Sequence, residues 1–84
     1  MKTIYKYQLR ITDNQYVDTY EGATPLFVDV QDGKLCLWVK VDTERNEYQM
    51  QIQVVGTGNS INGNALKYIG SVQMPPFAWH IFQV

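Results

Sequence analysis

The stretch "PLFVDVQDGKLCLWVKVD", residues 25–42, constrains the chain most, because Asp32-Gly33 stands between two runs of apolar residues. Asp-Gly suits a two-residue type I′ turn, whose central residues both need positive φ and whose twist matches the strands it joins. Pairing outward from that turn sets Val30 against Leu35, Val28 against Leu37 and Leu26 against Val39, all on one face. The other face then pairs Phe27 with Trp38, Asp29 with Cys36 and Gln31 with Lys34. A slip of one residue would turn every apolar side chain to the wrong side, so turn chemistry and apolar pattern together specify one register.

Period-two alternation continues on both sides of this hairpin. Tyr5, Tyr7, Leu9 and Ile11 share one face of "IYKYQLRI", with Lys6, Gln8 and Arg10 on the other. "QYVDTY" predicts a second strand, and "EGATP" interrupts it with Gly22 and Pro25. Beyond the polar "VDTERNEY", Met50, Ile52 and Val54 alternate with Gln49, Gln51 and Gln53, which predicts a strand with a polar outer face. "ALKYIGSVQM" and "FAWHIFQV" supply two more strands, separated by Pro75-Pro76. No window of about 11 residues keeps the spacing of an amphipathic helix. Short strands at intervals of roughly 8 to 12 residues predict an all-β domain, a small antiparallel sandwich or partly open barrel of about seven strands. One domain, 1–84, accounts for the length.

Composition narrows the partners. With 45% hydrophobic and 18% charged residues the chain has enough apolar surface to fold. Its seven basic residues are scattered rather than clustered, which argues against duplex nucleic acid, where phosphate neutralisation dominates affinity. A chain of this length hides only roughly 60 to 65% of its unfolded surface, so sharing apolar area in a homo-oligomer is expected. The single cysteine, Cys36, excludes an intramolecular disulfide and reads as a small buried or half-buried side chain. No stretch approaches the roughly 20 apolar residues of a membrane span, and "MKTIYKYQLR" lacks the apolar block of a signal peptide. A cytosolic protein without a membrane partner is the expectation.

Candidate chemistry centres on "VVGTGNSINGN", residues 54–64. A Walker loop needs four residues between its glycines, then Lys and Ser or Thr; G-x-G-x-x-G would need glycine where Ile61 stands. Two readings remain: a strand-ending turn with positive φ at Gly56 or Gly58, or a backbone nest whose successive N–H groups hold an anion. His80, the sole histidine, has no neighbouring acid and no nucleophile motif, and reads as a packed strand residue bonded by the backbone. One His and one Cys cannot build a structural zinc site. No catalytic, metal or cofactor motif is present, so a non-enzyme is expected.

Aromatic residues make up 13% of the chain, more than a small core needs, so some face a surface. In the last strand Phe77, Trp79 and Ile81 point one way and Ala78, His80 and Phe82 the other. That strand is therefore either internal or an edge that pairs with another subunit. Phe27 and Trp38 are either a cross-strand pair under a loop or a platform for a ligand.

The ordered set "MKTIYKYQLRITD", "GKLCLWVKVD", "VVGTGNSI", "YIGSVQ" and "WHIFQV" resembles a family of short, uncharacterised proteins of phage and prophage genomes, over nearly the whole chain. The resemblance implies an accessory protein made in the cytoplasm of an infected host cell, of the kind that blunts host defence. The leading expectation is a binding protein that sequesters a nucleotide-derived immune signal. Phe27, Trp38, Trp79 and His80 would stack on or contact the ligand; Gly56, Thr57, Gly58 and Asn59 would supply polar contacts, with Lys67 the nearest cation in sequence. The alternatives are an inhibitor that presents its aromatic strand to a host defence protein, and a structural or assembly accessory.

Overall fold

The computed structural model describes residues 1–63 and 67–84. It contains seven strands: β1 (Lys2–Gln8), β2 (Asn14–Tyr20), β3 (Thr24–Gln31), β4 (Lys34–Asp42), β5 (Glu47–Gly56), β6 (Lys67–Met74) and β7 (Phe77–Gln83). There is no helix among the described residues. The expected beginning of the sixth strand, at Ala65 and Leu66, lies outside them. The strands form two antiparallel sheets, ordered β1-β4-β3 and β2-β5-β7-β6. The sheets face one another as a sandwich and do not close into a barrel.

The Asp32-Gly33 turn joins β3 to β4 in the conformation its sequence requires, with φ of 54° and 75° at the two central residues. Val30 opposes Leu35, Val28 opposes Leu37 and Phe27 opposes Trp38. Beyond Phe27 the predicted register fails. Pro25, not Leu26, stands opposite Val39, and the irregularity between Pro25 and Phe27 leaves Leu26 unpaired and 47% exposed. Pro25 is thus part of β3 rather than a breaker before it. Proline has no N–H for the ladder and is accommodated beside a bulge on an edge strand, which β3 is.

Between the sheets the core is made by Leu35, Leu37 and Val39 of β4 against Met50 and Ile52 of β5 and Ile81 of β7, each at most 2% exposed. Each such side chain contributes about 1.5–3 kcal/mol relative to exposure. Ile11 takes no part, since β1 ends at Gln8 and Ile11 is exposed. The inner face of β2 carries Gln15, Val17 and Thr19, two of them polar, and both are satisfied. The Gln15 amide accepts from Arg10 N (3.0 Å) and donates to Arg10 O (2.7 Å), copying a backbone pair, while Tyr7 Oη donates to Thr19 Oγ1 at 3.0 Å.

One further expectation is corrected, and one open choice is decided. Gln53 does not belong to a solvated outer face: it is 3% exposed, because the segment after β5 folds back over it and Gln53 Nε2 donates to Asn62 O at 2.8 Å. The last strand is internal, hydrogen-bonded between β5 and β6, so it offers no edge to a partner, while Phe77 at its start stays exposed.

Along one long side, β3 lies against β6. A Cβ placed on Gly70 would sit 2.7 Å from Val28 Cγ2, so glycine is required there for the edges to meet. Gly70→Ala should cost roughly 1–3 kcal/mol through overpacking, or about 4–8 °C in Tm for each kcal/mol. Combined with Val28→Ala it should cost less than the sum of the two single changes, as measured by denaturant unfolding.

A second prediction concerns Asp42. The Glu44 N–H, which donates to Asp42 Oδ1 at 3.1 Å, holds this carboxyl below the usual aspartate range, and the nearby amino terminus of Met1 adds to the effect. A carboxyl whose folded pKa is depressed contributes stability above its unfolded value and loses it as pH falls through the folded one. Unfolding free energy should therefore decline below about pH 4, and Asp42→Asn should flatten that acid limb.

Candidate functional site

The turn after β5 is closed by Asn59 N donating to Gly56 O at 3.0 Å. Its third residue, Gly58, has φ of 88°, the conformation that a type II turn reserves for glycine. Of the two glycines proposed for positive φ, Gly58 is the one that adopts it. Thr57 N donates to Ala78 O at 3.3 Å, extending the β5–β7 ladder by one bond. Alternate amides, Thr57 and Asn59, are thus already bonded within the chain. A nest needs successive free N–H groups, so the turn is not an anion cradle and ends the strand instead.

Gly56 has a separate reason to be glycine. It stands opposite Trp79, and a Cβ there would lie 2.8 Å from Asn59 Nδ2 and 3.1 Å from Trp79 Cζ3. Without a side chain at this position the indole and the Asn59 amide both close onto the β5 backbone. Beside them is a hollow of about 270 Å³ bounded by Gly56, Thr57, Asn59, Pro76, Phe77 and Trp79. Phe77, 58% exposed, stacks on Trp79 with ring centroids 5.4 Å apart and planes at 28°. The stack has one ring held against the core and one open to solvent.

On the other face of the same sheet a polar row begins at the turn. Thr57 Oγ1 lies 2.7 Å from His80 Nε2, His80 Nδ1 lies 2.7 Å from Ser71 Oγ, and Ser71 Oγ lies 2.6 Å from Tyr68 Oη. His80 is therefore bonded by hydroxyls and not, as its place in the sequence suggested, by the backbone. In a neutral imidazole one ring nitrogen donates and the other accepts, so the row forms a directed chain of hydrogen bonds. Among the described residues no cluster of His, Cys, Asp and Glu has the makings of a metal site.

The predicted residues fall into three places. Gly56, Thr57, Gly58, Asn59, Trp79 and His80 gather at the turn. Phe27 and Trp38 form their own cross-strand pair, centroids 5.5 Å apart, on the outer face of the first sheet. Lys67 begins β6 opposite Gln83, whereas Trp79 opposes Val72 five residues on. At about 3.3 Å per residue that is roughly 17 Å along the strand, so Lys67 is no neighbour of the turn. Phe77 is the site residue that the sequence reading left out. Its signal was the spacing to Trp79, i and i+2 on one face beside a proline pair.

A family model matches residues 1–84, the whole chain, and is described as a domain of unknown function. The chain belongs to the DUF7352 family. Comparison with curated proteins and with solved structures finds no match. No helix among the described residues of this DUF7352 domain is long and apolar enough to cross a membrane.

The glycines of the turn should separate by mechanism. Gly56→Ala should displace Trp79, changing the tryptophan emission and costing roughly 1–3 kcal/mol. Gly58→Ala meets open space and pays only for its backbone conformation, about 1 kcal/mol, with emission unchanged.

Proposed function

We propose that this DUF7352 domain is a non-enzymatic binding protein that sequesters a nucleotide-derived signal of host immunity in a phage-infected cell, acting as a homo-oligomer. The observation that carries the binding reading is the Phe77–Trp79 stack beside the hollow at Gly56. An exposed aromatic ring backed by a second one is a platform for a nucleobase, worth about 1–3 kcal/mol per base. Asn59 at the hollow's wall supplies amide donors and acceptors for the base edge. The cellular setting rests on the resemblance to phage accessory proteins.

The hollow's modest size supports the oligomer. At about 270 Å³ it falls just short of the roughly 300–1,000 Å³ of small-ligand sites, and in this reading a second copy completes it. Support for a non-enzymatic role comes from His80, both of whose ring nitrogens are engaged by the hydroxyls of Thr57 and Ser71. Among the described residues neither nitrogen meets a carboxylate, the group that orients and supports the base of a Ser–His–Asp arrangement. The backbone of the turn plays no part in holding phosphate in this reading. Recognition is of the base, and the phosphates face solvent.

Calorimetric titration with cyclic dinucleotides and ADP-ribose-type signals, together with mass spectrometry of ligand released by heating, tests the proposal. Binding should be saturable, the complex should contain more than one chain, and Phe77→Ala should weaken it by about tenfold with the fold intact. Failure to bind or retain any such molecule would sink it.

A further inference from the structure

The opposite end of the sandwich carries a larger hollow of different chemistry. Tyr48 points to the inner side of its sheet, since it opposes Thr19 next to the buried pair Val17 and Met50. Eight residues of β5 separate it from Gly56, about 26 Å at 3.3 Å per residue. Here tyrosines of both sheets meet at the end of the sandwich: Tyr48 on the inner face beside Thr19, and Tyr20, of the opposite parity on β2, against Tyr5. Tyr5, Tyr7, Tyr20 and Tyr48 line a space of about 590 Å³, within the range of small-molecule sites.

The rings are arranged around Tyr5. Its ring meets those of Tyr7 and Tyr20 edge-on, centroids 6.4 Å apart in both cases and planes at 68° and 61°. Tyr7 is anchored by its bond to Thr19. Tyr5 and Tyr48 remain 37% and 49% exposed, so ring surface is open to the hollow. The two charged residues of the lining are both acidic, Asp18 and Glu47. Asp18 accepts from Gln49 Nε2 at 2.9 Å and is fixed by it. Arg45, close in sequence, extends instead to Gly22.

Non-parallel aromatic faces with carboxylates and no cation on the wall present a negative interior, the arrangement that holds an organic cation through ring quadrupoles. We infer that this hollow is a binding site for a small quaternary ammonium compound, its alkylated nitrogen against Tyr5, Tyr20 and Tyr48 and its charge balanced by Glu47 and Asp18. A quaternary nitrogen has no N–H to satisfy, and tyrosine rings with two carboxylates give it faces and counter-charge without requiring a donor. An anion is disfavoured here by the same carboxylates, so the site is independent of any nucleotide held at the Trp79 end.

The test is a titration of the full chain with choline, followed through the tyrosine ring resonances by NMR. Its uncharged isostere, with tert-butyl in place of trimethylammonium, and spermidine are run alongside. Choline should saturate, shift Tyr5, Tyr20 and Tyr48 but not the exposed Tyr16, and bind roughly tenfold better than the isostere. Tyr48→Ala should weaken it by a similar factor, Tyr48→Phe should retain it, Glu47→Gln should weaken it severalfold, and Phe77→Ala should leave it unchanged. Absence of saturable binding, equal binding of the isostere, or tighter binding of spermidine would each overturn the inference. The comparison of the three compounds on the unaltered protein stands even if Tyr48→Ala does not fold.

Discussion

Val28 occupies the space that a side chain on Gly70 would need, and the rest of the sandwich follows from that approach. It brings β3 onto β6 along one long side. Two sheets joined closely on one side and twisted in the usual sense do not stay parallel across their width. The aliphatic residues Leu37, Val39, Ile52 and Ile81 fill the middle, and larger aromatic side chains stand at the ends. Trp79 fills one end, and the group of Tyr5, Tyr7, Tyr20 and Tyr48 lines the other. The two ends thus account for part of the abundance of aromatic residues, while Phe27 with Trp38 and Tyr68 with Phe82 form pairs elsewhere on the sheets.

Much of the architecture was legible because turn chemistry and alternation agreed. Asp32-Gly33 fixed a hairpin whose register holds from Gln31–Lys34 to Phe27–Trp38, and seven strands follow in the predicted order, although β1 ends at Gln8 instead of running on to Ile11. What sequence could not show depends on contacts made at long range. Gln53 alternates with apolar residues like Gln49 and Gln51, yet only it is covered, since covering requires the segment after β5 to return over the sheet. Leu26 fits the apolar face by parity, but parity breaks where Pro25 introduces an unpaired residue. The tyrosine group joins β1 to β2 and β5, which belong to different sheets, and no local pattern announces such a meeting.

The glycine turn shows how a motif-like string can have several separate causes. Gly56 is small because Trp79 and Asn59 press on it, while Gly58 is glycine because of its positive φ. The pattern G-x-G in this chain records a close approach followed by a backbone conformation. Phosphate recognition would have required the amides that the turn spends on Gly56 O and Ala78 O. The His80 row, reached from the same turn, gives the sheet's outer face a continuous line of polar side chains from Thr57 to Tyr68.

The bond from Gln53 to Asn62 has an evolutionary consequence. The acceptor is a main-chain carbonyl, which any residue at position 62 would provide, whereas the donor is a particular side chain of a particular length. Gln53 also reaches Asn14 Oδ1 at 3.3 Å, so one glutamine amide joins the covering segment to the neighbouring strand. Sequence drift should therefore be tolerated at position 62 and resisted at position 53, the reverse of what an exposed-looking glutamine beside a glycine- and asparagine-rich loop would suggest.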